Sequence, residues 1–310
     1  MRTLARAPGQ AGRMPPRVRA HPGAVFRRCW DCAFDTWPAA RAQTKARAQK
    51  AIDFITKNRS NPFFVYLPHS MPHIPLYVPD DVRDPNPQNA YINTIEHIDT
   101  EVGRLLDTLD ELKLTDNTYV IYTTDNGPWL PFRHHGGTAG PLRDGKGTTF
   151  EGGQRVPCLI RGPGVPAGTV CNALASTIDI LPTIANLTDS RLPRRNKIDG
   201  HDISGLIKAD SDETPRTEFI HYTSRGELEG IRQGDWKLLI KKPRQTRNNN
   251  QQKQPMPPQI LLFNLKEDLG ETVNLADQHP DIVTQLRSLM TELDAEITKN
   301  ARDPWIKNSR

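Results

Sequence analysis

The stretch from Tyr119 to Trp129, Tyr-Val-Ile-Tyr-Thr-Thr-Asp-Asn-Gly-Pro-Trp, constrains the fold more than any other part of the chain. A run of β-favouring residues leads into Asp125-Asn126, and Gly127-Pro128 stops it. Such a run reads as a buried strand whose carboxyl end presents a carboxylate and a carboxamide. In open α/β sheets, ligands bind beyond the carboxyl ends of strands. Two oxygen-bearing side chains there suit a hard cation such as Ca²⁺ or Mg²⁺. Asx-Gly is also ordinary turn chemistry, and this stretch taken alone favours the turn.

Two other stretches change the weighting. Phe63 to Leu67 is a continuous apolar run, read as a second buried strand. It delivers Pro68-His-Ser-Met-Pro-His73-Ile-Pro75, a proline-stiffened loop with two histidines four apart. From Gly136 to Gly153 the chain is rich in glycine, and Lys146 lies between two glycines with Thr148-Thr149 following. Glycine lets backbone and an ammonium group approach an anion closely. Taken singly, the histidines and the lysine read as surface loop residues. Taken together with Thr124-Asp125-Asn126-Gly127, the three motifs in this order resemble the C-terminal part of the sulfatase family, within the alkaline-phosphatase-like superfamily. The resemblance runs from about residue 46 to about residue 300.

The resemblance implies hydrolysis of sulfate esters, with a small-molecule or carbohydrate sulfate ester as substrate. It assigns His73, just before Ile74-Pro75, and Lys146 to the ester as catalytic residues. His69 is given a supporting role at most. A histidine near the leaving oxygen can donate a proton as the bond breaks, and a lysine on the sulfate oxygens stabilises developing charge. The resemblance makes Asp125 and Asn126 metal ligands, with Ca²⁺ as the expected cofactor. It also implies a formylglycine nucleophile made from a C/S-x-P-x-R motif, two consecutive aspartates near the N-terminus, and a further Lys and His between that motif and the helix at 45–59. None of these is found at those places in this sequence. Since Ca²⁺ takes six to eight oxygens, weak metal binding and little or no turnover are expected of this chain by itself. A phosphoesterase of the same superfamily and a non-catalytic anion-binding protein are the competing readings. The four residues are expected to converge on one pocket.

The fold class expected is α/β: a central mixed, mostly parallel sheet flanked by helices, followed by a small C-terminal antiparallel sheet plus helix. Residues 45–59 read as an amphipathic helix carrying Ala48, Ala51, Ile52, Phe54 and Ile55. Residues 90–114 read as a second, with Ile92, Ile95, Ile98, Val102, Leu105, Leu106 and Leu109 on one face. Its charges, Glu96, Asp99, Glu101 and Arg104, read as a solvated face. This helix between two strands predicts a βαβ unit with a parallel pair. Arg155 to Arg161 reads as a strand, and Ser176 to Leu187 as a helix capped at Thr177. Asp179 is expected to complement that helix's dipole. Strands are predicted at 217–222, 228–240 and 259–265, a polar hairpin loop at 241–258, and a closing helix at 280–298.

Composition bounds the rest. The chain has 310 residues and a net charge of +5, yet residues 1–50 alone carry +9 and the remainder about −4. The basic excess therefore belongs to a tail. Residues 1–44 are expected to be disordered and without a nucleic-acid partner, and the change in character near Arg41 suggests foreign sequence. The division expected is 1–44 tail, 45–210 partial sulfatase domain, and 211–310 C-terminal subdomain. Cys29-x-x-Cys32 has no second pair at zinc-site spacing. Cys158 and Cys171 read as small core residues. No apolar run is long enough to span a membrane, and no secretory signal is visible, so localisation is not read from the sequence.

Overall fold

The computed structural model describes residues 43–195, 197–242 and 258–301. The basic tail with Cys29 and Cys32, and most of the polar loop expected after Lys241, lie outside the described residues.

Helix α1, Gln43–Lys57, buries Ala48, Ala51 and Ile55 at the expected helical spacing and packs against α2, Ala90–Glu111. The buried stripe of α2 is rotated from the expected one. It runs through Thr94, His97, Ile98, Glu101 and Leu109, and Ile92 is exposed. Glu101 and Arg104 are not the solvated pair expected. Glu101 is buried and accepts from Arg104 Nη1 at 2.5 Å, while Arg104 Nη2 donates to Gln49 Oε1 of α1 at 2.6 Å. The guanidinium lets a carboxylate sit in the helix interface, because a buried charge is tolerated only when paired.

The Tyr119 stretch forms strand β1, Val120–Thr123, which pairs antiparallel with β2, Cys158–Arg161, from Val120↔Arg161 to Thr123↔Cys158. Its residues are half-buried rather than fully buried. Phe63 to Leu67 corrects the buried-strand expectation. The segment has no regular secondary structure, Phe64 and Tyr66 are exposed, and it joins no ladder among the described residues. The expected parallel pair across α2 is likewise not formed among them. An apolar run specifies extended backbone, but a strand exists only where a neighbour takes its N–H and C=O groups. Cys158 and Cys171 are exposed, which corrects the core reading. Apolar neighbours in sequence do not fix which face a side chain takes.

The helix start near residue 176 is capped by Ser176 rather than Thr177. Ser176 and Asp179 form a reciprocal capping box over the 3-10 turn Thr177–Asp179, which leads into α3, Ile180–Leu187. Asp179 does more than complement a dipole. It is fully buried and accepts from the His201 N–H at 2.8 Å and from Arg216 Nε at 2.9 Å, with Arg216 Nη2 on its other oxygen. Burial alone would push its carboxyl up, but Arg216 and the two backbone donors hold it below the ordinary range. The Asp199–Asp202 stretch thus returns to the start of α3 and carries the chain on towards the next strand.

Strands β3, Glu218–Tyr222, β4, Leu228–Gln233, β5, Trp236–Lys241, and β6, Gln259–Asn264, form an antiparallel sheet in sequence order. Helix α4, Pro280–Lys299, packs on one face through Leu286 and Met290 against Ile231, Leu238 and Leu262. The opposite face carries Leu239, Leu261 and Phe263 and packs against Phe150 of the glycine-rich loop. The small antiparallel sheet with its helix is as the sequence predicts, except that the strand expected at 228–240 is two, β4 and β5, joined by a tight turn in which Gly234 takes φ +56; the architecture is α/β.

Candidate active site

Strand β1 ends at Thr123, and the chain turns at once. Thr124 Oγ1 donates to the Asn126 carbonyl at 2.9 Å, and Asn126 Nδ2 to the Gly127 carbonyl at 2.8 Å. Gly127 then passes so close to the glycine-rich loop that a Cβ there would lie 1.7 Å from the Gly152 carbonyl oxygen. The Gly127 N–H donates to Gly153 O at 3.2 Å, and the Lys146 N–H donates to Pro128 O at 2.8 Å. The Asp125-Asn126 turn and the Lys146 loop are therefore joined backbone to backbone. Gly147, at φ +87, makes the turn after Lys146 without the steric cost a side chain would carry.

Trp129 gathers the side chains. Lys146 Nζ lies 5.1 Å from its ring centroid, and the His73 ring centroid lies 5.6 Å away from it. Phe132 packs on the same indole at 4.6 Å. His73 and Lys146, 73 positions apart in sequence, thus border one aromatic ring. His73 and Asp125 are exposed, while Asn126 and Lys146 are half-buried. His73 Nδ1 is bonded to the Ile74 carbonyl at 2.7 Å, so Nδ1 carries the hydrogen of that bond. A cation and an imidazole beside an apolar ring suit an anion attached to an organic ring.

The oxygens of Asp125 and Asn126 suit a hard cation in type. In number they do not complete a shell, since no cluster of three or more His, Cys, Asp or Glu able to hold a metal occurs among the described residues. No chemical step is derived through a metal.

The loop after Lys146 docks on β5 by a period of two. Lys237, Leu239 and Lys241 share the sheet face that meets Thr149, Phe150 and Glu151. Lys241 Nζ donates to Thr149 Oγ1 at 2.6 Å and to Glu229 Oε2 at 2.8 Å, and it lies 4.4 Å from the Phe150 centroid. Lys237 is fully buried, with Nζ 2.8 Å from Glu151 Oε1 and 2.9 Å from Glu271 Oε1. The first is a hydrogen bond; the second is a charge pair off the hydrogen-bond line. Arg155 Nε adds a bond to Glu151 Oε2 at 2.9 Å. Burial would raise the Glu151 carboxyl, but Lys237 and Arg155 outweigh it and hold it at about 2. Glu271 lies deeper, and there burial pushes the carboxyl up further than Lys237 and the Glu151 N–H bring it down. His221 on the same side is pushed down to about 3, first by burial and then by Lys237, so it stays neutral near pH 7.

Comparison with known proteins places the chain. The Sulfatase family model matches residues 15–190, more than half of the chain. The chain belongs to the sulfatase family. Arylsulfatase A of Bos taurus is 32% identical over 262 residues, covering 78% of this chain and 51% of that protein. N-acetylgalactosamine-6-sulfatase of Canis lupus familiaris is 36% identical over 164 residues, covering 52% and 31%. The chain spans about half the length of the curated relatives it matches first. Among solved structures, the PsFucS1 sulfatase of Pseudoalteromonas sp. shares the fold at a TM-score of 0.73, with 24% identity over 85% of this chain and 55% of that one. Ps i-CgsB, solved in complex with k-i-k-neocarrahexaose, matches at a TM-score of 0.68, with 27% identity over 86% and 57%.

Sequence reading gave Trp129, Glu151, Lys237 and Glu271 no part in this candidate site. Trp129 and Glu151 lay inside the quoted motifs without a role. Lys237 had a legible signal, because it alternates with Leu239 and Lys241 along one strand face. Glu271 had none, since its partners in the Lys146 loop, Arg143 and Glu151, come from positions 120 or more residues away.

Proposed function

We propose that this chain forms the sulfate-binding side of an enzyme that hydrolyses carbohydrate sulfate esters. The observation that carries the reading is the meeting of Lys146 and His73 at Trp129. In this reading the Lys146 ammonium binds the sulfate oxygens and offsets negative charge as the ester bond breaks. The His73 imidazolium, with its Nδ1–H on the Ile74 carbonyl, gives its Nε2 proton to the departing alkoxide and is left as the neutral ring. Trp129 supplies the apolar face for the sugar ring, which excludes water from one side of the ester. Asp125 and Asn126 are the residues that would hold part of the shell of a Ca²⁺ ion, and such an ion would supply charge neutralisation at the sulfate. A formylglycine nucleophile is the family chemistry this reading adopts. The sugar assignment draws on relatives named for N-acetylgalactosamine-6-sulfate and on a solved neighbour holding a neocarrahexaose. The division into a tail at 1–44, an α/β part at 45–210 and a closing part at 211–310 belongs to the same proposal.

The test is binding and turnover with an aryl sulfate, a sulfated monosaccharide and the matching phosphate ester. Lys146→Ala is expected to weaken sulfate-ester binding by about tenfold or more, the usual effect of losing a charged hydrogen-bond partner. Phosphate ester preferred over sulfate ester, or binding indifferent to Lys146→Ala, would refute the assignment.

A further inference from the structure

Glu271 is fully buried, charged in kind, and held at φ +52, a left-handed conformation that a non-glycine residue rarely adopts. Gly270 precedes it directly, so a residue free to take that conformation lies one position away. Strained buried residues persist only where their surroundings over-determine them. Here the turn is fixed twice. Asp268 accepts the N–H groups of Thr272 and Val273 at 2.7 and 2.8 Å, and its carbonyl accepts the Glu271 N–H at 3.1 Å. Asn274 bonds β6 through the Leu262 N–H at 2.9 Å and the Ile260 carbonyl at 3.0 Å.

From this rigid turn Glu271 reaches both flanks of the Lys146 loop. Its carbonyl accepts from Arg143 Nη1 at 2.6 Å, three residues before Lys146. Its carboxylate accepts the Glu151 N–H at 2.7 Å, five residues after Lys146. The Arg143 guanidinium stacks 4.1 Å from the Phe150 centroid, and the Arg143 carbonyl accepts the Gly152 N–H at 2.8 Å. The segment from Arg143 to Gly152 is therefore a closed loop with Lys146 inside it and Glu271 at its neck. Lys237, from the neighbouring strand, pairs with both carboxylates.

We propose that Glu271 is a positioning residue, stapling the two ends of the Lys146 loop to the C-terminal sheet so that the sheet sets the place of the sulfate-binding ammonium. The proposal rests on the assignment of Lys146 to sulfate. It makes the closing sheet part of the site's machinery rather than a cover for apolar surface. A core residue of ordinary kind lowers global stability when replaced. A staple, when cut, frees one loop and misplaces one ligand group.

The experiment uses the full 310-residue chain with Glu271→Gln, which keeps volume and removes charge, and Glu271→Gly, which also relieves the left-handed backbone. Hydrogen exchange followed by mass spectrometry reads peptides covering 143–153 against peptides covering β3 and β4. Inorganic sulfate is titrated separately, with the fluorescence of Trp129, 5.1 Å from Lys146 Nζ, as readout and Trp129→Phe as its blank. Glu271→Gly, which removes the acceptor of the Glu151 N–H, is expected to exchange about tenfold faster or more in 143–153 with little change in β3 and β4, and Glu271→Gln, which keeps an acceptor oxygen but no charge, is expected to fall between it and the native protein. The sulfate midpoint should rise by a similar factor. Uniformly faster exchange across all peptides, or unchanged exchange in 143–153, overturns the staple. Local opening together with a sulfate response that Lys146→Ala leaves intact supports the staple and overturns the sulfate assignment instead.

Discussion

Lys237→Met removes the cation from the most deeply buried charge cluster and leaves its packing volume nearly intact. In the native protein Nζ has no solvent exposure and contacts two carboxylates, Glu151 at 2.8 Å and Glu271 at 2.9 Å. Removing one partner of a buried ion pair costs about 3–5 kcal/mol, because the remaining charge stays desolvated without compensation. Arg155 remains on Glu151, with Arg232 Nη1 at 3.9 Å, so part of that carboxylate's pairing survives. The expected loss is therefore near about 3 kcal/mol at pH 7. The shift at Glu151 gives the same scale. Its ordinary value of 4.5 falls to about 2 in the folded protein, and such a shift is worth about 3 kcal/mol. A group depressed in the folded state stabilises above its unfolded value, and that contribution is lost as pH falls from about 4.5 to about 2. In Lys237→Met, Glu151 protonates more easily, so the gap between variant and native protein should narrow over that window. Urea denaturation followed by circular dichroism, at pH 7 and at steps down to pH 3, measures both effects. Lys237→Met/Glu151→Gln/Glu271→Gln, which removes the orphaned charges, should recover part of the loss. A loss under about 1 kcal/mol at pH 7, or a gap that widens in acid, would refute the reasoning, since exposed pairs give that smaller figure.

Two further outcomes follow from contacts already described. Gly127→Ala forces a methyl to within 1.7 Å of the Gly152 carbonyl, so it should separate the Asp125-Asn126 turn from the Lys146 loop. Its exchange protection at Gly127 and Gly153 should drop while α4 keeps its own; unchanged protection would show that the close approach is not needed. Arg216→Lys loses the fork that holds both oxygens of Asp179 and should cost about 2–4 kcal/mol in thermal or urea unfolding, since a lysine cannot reproduce a bidentate buried pair. A cost within about 0.5 kcal/mol, the scale of an ordinary surface change, would contradict that account.

Local pattern determined what depends on near neighbours. The 3.6-residue recurrence of Ala48, Ala51 and Ile55 set α1, and the strand signals at 217–222, 228–240 and 259–265 set the closing sheet, although the turn that splits 228–240 was not read. Asp125-Asn126-Gly127 at a strand end and Lys146 among glycines were legible because turn chemistry is written in adjacent residues. Tertiary structure alone decided what depends on which partner arrives. Phe63–Leu67 had the composition of a strand but joins no ladder among the described residues, because pairing belongs to the neighbour and not to the run. Glu101 and Asp179 looked like surface acids until Arg104 and Arg216 made their burial tolerable. The meeting of His73 and Lys146 at Trp129, and the hold of Glu271 on Arg143 and Glu151, link positions up to 128 residues apart. Periodicity carries no information over such distances. Those contacts exist because the sheet face of β5 and the turn after β6 present Lys237 and Glu271 to the loop, a consequence of strand register that only the folded chain fixes.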